Sequence, residues 1–469
     1  MDVTQDGRRG RLIESLAKVA ASKLKKGQDA HFQNFIAHAI HFYPDQDYLN
    51  RPAEDIFWNI WGLYSFGEAP FAERDDITHS AKVRVFNPSI EIDSWSSQYT
   101  TIYINQRDMP FLVDSLRMAL NRRELNIYTL QSNLAWTLRD AKGLIEGVSA
   151  KFVEGANYEA FISIEVDMLT DRDLDAVQRE LCLVLDDIDA VVGDFEMMRG
   201  RTQKVIQDLK DNAPQVEQLQ ESIEFLEWVN SGYFVYTGYA EFELVVDDKK
   251  VSLREVANTA CGLLRRYGGD LREESVDGLS EGVKALYEDD QVLTVSKSSK
   301  RSRVHRNAYS DYIVVKRFND KGEPVGEVRL LGLYTSQFYS YSPRRIPILR
   351  EKVNWVLERA GFSPNSHDGK ALSTILDSHP RDELLHISRE ILSDTAIGIW
   401  QIYERRVVKV FVHPDPFEKF VNCLVYLPRE SYSTDVREII QQRIGTCLLY
   451  TSDAADDLLC VDLGGRRII

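Results

Sequence analysis

Between Ile102 and Tyr128 the chain reads IYINQRDMPFLVDSLRMALNRRELNIY, and no other stretch constrains the fold as much. Ile102, Tyr103 and Ile104 form a β-prone run that stops at Asn105. Asp108 stands where a helix cap belongs, just before Pro110, whose missing N–H costs nothing in a first helical turn. Leu112, Leu116 and Leu120, with Ala119 beside them, recur on one face, so the spacing predicts a helix over 110–123. Leu125, Ile127 and Leu130 then resume strand-like spacing. Small ligand-sensing domains are often built on such a βαβ-type unit with an acidic, Pro-containing turn. The unit carries no catalytic group of its own.

The flanks extend this pattern. Residues 10–66 read as helical, with Phe32, Phe35, Ile36, Ala39 and Ile40 in step and Pro52 opening a further helix with Ile56, Ile60 and Trp61. From Lys82 the period drops to two at Val83 and Val85. Ala160, Ile162, Ile164 and Val166 alternate with Phe161, Ser163, Glu165 and Asp167, a strand with one polar-leaning face. A long helix follows, with Leu174, Val177, Leu181, Leu185 and Ile188 aligned. Asp140 to Gly143 and Asn319 to Gly322 are hairpin turn signals. The first module is therefore expected to be α+β, with a ferredoxin-like order of elements. A charged helix over 200–230 serves as connector. Strands at 233–246, 292–295, 312–318 and 328–334 surround a helix carrying Val256, Ala260, Leu263 and Leu264 that ends at Gly268-Gly269, a second α+β module. Helices run from Pro343 to about Trp400. Strands return at 407–412 and 420–427, and a helix starts at Ser433.

Composition limits the function classes. The 469 residues are 43% hydrophobic and 28% charged, enough for two to four domains, with a net charge of −16. An acidic surface argues against nucleic acid or an anionic membrane as main partner. No run approaches the length of a transmembrane helix, and the N-terminus, with Asp2, Asp6, Arg8 and Arg9, lacks a secretory signal, so the cytoplasm is expected. Cys182, Cys261, Cys423, Cys447 and Cys460 form no CxxC pair, which disfavours disulfides and zinc. Cys182 is expected to be a buried thiol on a helix.

Motifs that carry chemistry are absent: no GxGxxG after a strand, no GxxxxGK[ST], no GxSxG and no HExxH. His31, His38 and His41 on one helical stretch, and His379 and His386 about another, lack companion ligands and are expected to be packed or solvated. No catalytic, cofactor-binding or metal residue is assigned. Two candidate binding sites remain. Asn105 and Asp108 in the turn, with Asp114 and Ser115 on the next helical turn, are candidates to hold an amino-acid effector, since free N–H groups at a helix start favour a carboxylate. Capping and packing explain the same residues without a ligand. In KSSKRSRVHR, Lys300, Arg301, Arg303 and Arg306 form a candidate anion patch with Lys297 beside them, or an exposed loop.

Two resemblances complete the reading. The tail from Cys447, CLLYTSDAADDLLCVDLGGRRII, resembles the conceptual translation of a sequencing adapter followed by its flow-cell primer. On that expectation residues 447–469 are not native, and removing their four Asp and two Arg changes the net charge from −16 to −14. The stretches RDMPFLVDSLRMALNRREL (107–125), FLEWVNSGYFVYTGYAEFEL (225–244), SRVHRNAYSDYIVVKRFNDKGEPVGEVRLLGLYTSQFY (302–339), SPRRIPILREKVNWVLERAGFSPNSHDGKAL (342–372), HPRDELLHIS (379–388) and DPFEKFVNCLVYLPRESYST (415–434) resemble the large bacterial NAD-dependent glutamate dehydrogenase family.

The resemblance implies a helical segment at 1–75, an ACT-like domain at 76–195, a connector at 196–224, a PAS-like domain at 225–342, helices at 343–402 and the truncated start of a second ACT-like domain at 403–446. It implies a regulatory and assembly fragment without cofactor, with glutamate oxidation and NAD binding located further along the parent polypeptide. The partners it implies are the rest of that polypeptide, further subunits of an oligomer and an amino-acid effector. A free-standing amino-acid sensor is the rival reading. Three positions depart from the family pattern: Phe111 and Glu418 fill turns that favour glycine, and Glu124 stands at a helix end that does. Phe420 to Tyr426 is expected to be an unpaired apolar edge.

Overall fold

The protein, described by a computed structural model over residues 3–24, 32–42, 51–71, 81–247, 250–267, 273–275, 291–403, 405–414, 420–448, 460–461 and 466–468, divides into two units. Residues 1–192 and 303–306 form the first, and 193–302 and 307–469 the second.

The period-two segments of the first unit become strands β1 (Lys82–Phe86), β2 (Thr100–Arg107), β3 (Ile127–Arg139), β4 (Ile145–Ser149) and β5 (Asn157–Val166). They form one antiparallel sheet in the order β1-β2-β5-β3-β4. The 3.6-period segments become α1 (Val3–Lys23), α2 (Phe32–Phe42), α3 (Ala53–Glu68), the single turn α4 (Ile90–Asp93), α5 (Leu112–Arg122) and α6 (Asp171–Gly193). From β2 to α6 the order follows a ferredoxin-like module, with β4 added as a hairpin. The strand that would close such a module after its second helix instead comes first in the chain, as β1.

Strand pairing sorts the side chains. Tyr103 pairs with Ser163 and Asn105 with Phe161, so these share one face; Ile102, Ile104, Ile162 and Ile164 share the other. The isoleucine face is fully buried, as are the apolar stripes of α5, which packs against β3, and of α6. The tyrosine face lies under the N-terminal helices: Tyr103 Oη donates to Asn59 O at 3.0 Å, and Phe35 meets Phe161 edge-on at 5.0 Å. Two glycines of α3 allow this approach. A Cβ at Gly62 would lie 3.0 Å from Tyr103 Oη, and one at Gly67 would lie 2.3 Å from Phe161 Cε1.

The sequence places a cap at Asp108 and a helix start at Pro110; the structure corrects both. Helix α5 begins at Leu112, and Phe111, at φ 71°, takes the cap position with no side-chain hydrogen bond. Glu124, at φ 58°, ends the same helix. Both left-handed positions fall where the sequence lacks an expected glycine.

In the second unit α7 (Phe195–Asn212) and α8 (Leu219–Trp228) lead into a six-stranded antiparallel sheet. Its strands are β6 (Phe234–Asp247), β7 (Lys250–Glu255), β8 (Glu273–Ser275), β9 (Leu293–Arg301), β10 (Tyr309–Phe318) and β11 (Pro324–Tyr334), ordered β8-β7-β6-β11-β10-β9. The helix predicted around Val256 and Ala260 is corrected: only α9 (Gly262–Tyr267) forms, because Gly238 and Gly262 pair as an isolated bridge and fix the preceding backbone. Gly268 and Gly269 lie outside the described residues. The turn at Asn319 matches its signal, with Asn319 Oδ1 accepting the N–H groups of Lys321 and Glu323 and Gly322 at φ 78°.

Helices α10 (Ser336–Ser340), α11 (Leu349–Ala360), α12 (His367–Ser378), α13 (Arg381–His386) and α14 (Arg389–Trp400) follow. A hairpin of β12 (Lys409–Pro414) and β13 (Val421–Pro428) leads to α15 (Thr434–Leu448). Among the described residues the second edge of β13 meets only β15 (Arg466–Ile468), at Tyr426 to Pro428; β15 also pairs with β14 (Cys460–Val461). Among the described residues, Val421 to Val425 therefore have a partner strand on one side. Glu418 lies outside the described residues. Cys182 is half-buried rather than buried; among the described residues Cys261 is the buried thiol.

Alanine favours helix over glycine by about 1 kcal/mol, yet at Gly67 its methyl would enter the fully buried Phe161 ring. Overpacking of that kind costs about 1–3 kcal/mol. Chemical denaturation of Gly67→Ala is expected to show net destabilisation, and unchanged or raised stability would contradict the packing described.

Candidate functional site

The four residues proposed for an effector do not converge. Asn105 is fully buried on the tyrosine face, where its Nδ2 donates to Glu159 Oε2 at 3.1 Å. Ser115 sits on α5 with its hydroxyl donating to Phe111 O at 2.7 Å and accepting from His305 N at 3.1 Å. Asp114 is exposed. Asp108 is half-buried, and burial pushes its carboxyl up, opposed by a hydrogen bond from the Met109 N–H. The turn is closed by the Phe111 ring, 5.0 Å from the His305 ring. His305, itself at φ 74°, is pushed down by burial and by Arg306, with Asp114 opposing. The ring, the Ser115 hydroxyl and the Phe111 carbonyl of this turn are thus all engaged within the protein.

The candidate anion patch also divides. Lys300 and Arg301 belong to the second unit, Arg303 and Arg306 to the first. Lys300 is exposed, Arg301 lies 4.7 Å from the Tyr309 ring centroid, and Arg303 reaches Asp187 at 3.9 Å. The side chains of His31, His38 and His41 lie outside the described residues.

A different cluster emerges on the tyrosine face, which is polar and yet taken out of water. Glu159 and Glu165 are each 1% exposed. Arg139 of β3 meets Glu159 with two 2.7 Å hydrogen bonds. Its Nη2 also donates to Gly67 O at 3.0 Å and Asn105 Oδ1 at 3.2 Å, and its Nη1 to Gly143 O at 2.7 Å. Arg51, just before α3, grips both oxygens of Glu165, and Thr129 donates a further hydrogen bond to it. Lys82 donates to Gly67 O at 2.7 Å and to Ala69 O, and burial plus the Arg139 charge hold its ammonium down to about 7. The sequence signal for this cluster was the alternation of acids with isoleucines in 159–166. Its basic partners are remote in sequence and carried no signal.

In the second unit the six residues of α13 gather three further clusters. Lys297 of β9 lies 2.8 Å from Asp311 and 3.0 Å from Asp382. Burial alone would push this ammonium down, but the two carboxylates outweigh it and raise it. Lys352 donates all three protons to the carbonyls of Leu384, Leu385 and Ile387, and burial brings it down to about 8. Glu383 lies between His379 Nε2 at 3.1 Å and His413 Nδ1 at 2.5 Å, and His413 Nε2 in turn meets Thr395 Oγ1 at 3.0 Å. Burial pushes Glu383 up, and the two imidazoles reverse this to about 2. His386 is pushed down to about 3 by burial and by Lys297. His379 and His386 are thus packed, one of the two expectations for them. Among the described residues no group of three such side chains could hold a metal ion, and no helix is long and apolar enough to cross a membrane.

These clusters join elements to one another, in an α+β chain of ACT modules and connecting helices. The family description "Glutamate dehydrogenase, ACT1 domain" matches residues 35–181, "Glutamate dehydrogenase, helical motif 1" matches 346–405, and "Glutamate dehydrogenase, ACT2 domain" matches 409–456. The chain belongs to the NAD-specific glutamate dehydrogenase family. It is 35% identical over 449 residues to the NAD-specific glutamate dehydrogenase of Halomonas elongata, covering 94% of this chain and 27% of that protein. The Pseudomonas aeruginosa protein of the same name is 34% identical over 77% of this chain and 22% of its own length. That of Mycobacterium tuberculosis is 25% identical over 74% and 21%. The chain spans about a quarter of the length of these relatives.

Two measurements check this geometry. A left-handed non-glycine residue costs about 1–2 kcal/mol, so Phe111→Gly is expected to be more stable than Phe111→Ala by about that amount; equal stabilities would remove the strain at the turn. Glu383, held near 2 from an ordinary value of 4.5, contributes stability that is fully present above about 4.5 and is lost as pH falls toward 2. Replacing it by Gln is expected to flatten the stability–pH curve in that window, and an unchanged acid limb would refute the pairing.

Proposed function

We propose that this chain is a regulatory and assembly segment of an NAD-dependent glutamate dehydrogenase, working in the cytoplasm as part of a larger subunit in an oligomer. The parent reaction is oxidation of L-glutamate with NAD and water to 2-oxoglutarate, ammonium and NADH. The observation that carries this reading is the ordered match to two ACT descriptions and a helical motif. Glutamate and NAD binding are assigned to the remainder of the parent polypeptide. The six-stranded sheet, with β6 and β11 central, β7 and β10 flanking them and β8 and β9 at its edges, supports a PAS-like reading of the second unit. The adapter-like reading of residues 447–469 stands as a proposal too, and the ACT2 match running to 456 overlaps its first part.

A purely architectural role is favoured over amino-acid sensing by the turn at Phe111, where ring, hydroxyl and backbone are already engaged. Purified chain is expected to give no glutamate-dependent NADH formation; a steady rate proportional to protein would overturn the assignment. A thermal-shift screen of amino acids separates scaffold from sensor, because ligand at about 100 times its Kd adds roughly 2.7 kcal/mol of stability. A flat screen is expected, and a saturable shift would restore the sensor.

A further inference from the structure

Lys82 opens β1 and pairs across the sheet with Asn105, which puts it on the tyrosine face at the C-terminus of α3. Its Nζ lies 4.6 Å from the ring centroid of Phe71 and 6.0 Å from that of Phe66. Arg139 approaches the same ring at 4.7 Å and donates to the same carbonyl, Gly67 O. Two cations thus share one carbonyl and one aromatic ring.

Only one of them can give way. Arg139 is committed to Glu159, and a guanidinium keeps its proton. Among the described residues, the charged groups acting on Lys82 are Arg139 from β3 and Glu159 from β5. Glu159 is taken up by Arg139, so burial, with repulsion from Arg139, leaves the lysine at about 7. An uncharged amine still satisfies the two carbonyls with its two N–H groups. Among the described residues nothing donates to its lone pair, at a partly exposed position. Lys352 makes the contrast: three carbonyls take its three protons in a fully buried site.

We propose that Lys82 is a modification site for carbon dioxide, forming a carbamate beside the Arg139 guanidinium. The Nζ lone pair forms a bond to the carbon of carbon dioxide, one C–O π pair moves onto oxygen, and the nitrogen releases a proton to water. Nothing is oxidised or reduced. Carbon dioxide is small and apolar enough to reach an amine beside the Phe71 ring, and the carboxylate it creates meets the Arg139 cation at the same ring and carbonyl. An ordinary lysine, with a pKa near 10.4, is uncharged in roughly one molecule in 2,500 at pH 7, whereas one near 7 is uncharged in about half. The modification would replace a donor at the end of α3 with an anion, and so loosen that end of the helix.

The test uses the full chain in 13C-bicarbonate buffer, trapping with triethyloxonium and peptide mass spectrometry. Lys82 is expected to carry at least tenfold more trapped carbamate than the exposed Lys142, with the yield rising through about pH 7. Lys82→Arg is expected to lose it. Trapping at Lys82 no greater than at Lys142 overturns the proposal. A second, independent reading is the NMR titration of the reductively 13C-methylated chain. A Lys82 midpoint near 7 is expected, and a midpoint near the ordinary lysine value of about 10.4 overturns it whatever the trapping shows.

Discussion

Glu159 and Glu165 lie on a sheet face that the N-terminal helices take out of water, and the first unit is organised around answering their charges. An ion stripped of water costs several kcal/mol unless a partner meets it with good geometry. Both carboxylates receive an arginine in two-pronged contact, the arrangement best suited to that task. The two arginines bracket one helix. Arg51 stands just before α3, and Arg139 reaches the carbonyl of Gly67 at its end. The helix cannot slide along the sheet without breaking one of these pairs. Gly62 and Gly67 remove the methyl groups that would hold it off. Polar pairing fixes where the helix sits, and apolar contact around Phe35, Tyr64 and Phe161 supplies the adhesion.

The second unit uses the same device on a smaller element. The six residues of α13 are too few to be stable as an isolated helix. They are held by Lys297 at Asp382, by Lys352 at the last carbonyls, and by His379 and His413 at Glu383. These partners come from β9, α11, the end of α12 and β12. Sheet, helices and hairpin therefore meet at one short segment whose own propensity contributes little.

Much of the fold was legible because periodicity is local. The isoleucine alternation of 160–166 gave β5, the leucine spacing of 112–120 gave α5, and Asn319 and Asp140 marked real turns. Phe111 and Glu124, the two described positions where glycine was expected, both have left-handed backbone. The failures are also physical. Asp108 has the chemistry of a cap, but its N–H bonds Tyr158 O and keeps the chain extended past it. Val256 and Ala260 fit a helical period, but pairing of Gly238 with Gly262 overrides it. The cluster at Lys82, Arg139 and Glu159 was out of reach, since its members come from three strands and nothing in the spacing links them.

The strand order of the first unit has a consequence for synthesis. In a module whose edge strand comes last, the sheet waits for the end of its own sequence. Here β1 precedes β2, and every strand of the sheet has been translated once Val166 is made. Along the chain, helix α6 is followed by the residues of the second unit and not by a further strand of this sheet. The sheet can close on the ribosome while the second unit is still being made, with no edge held open for a later segment.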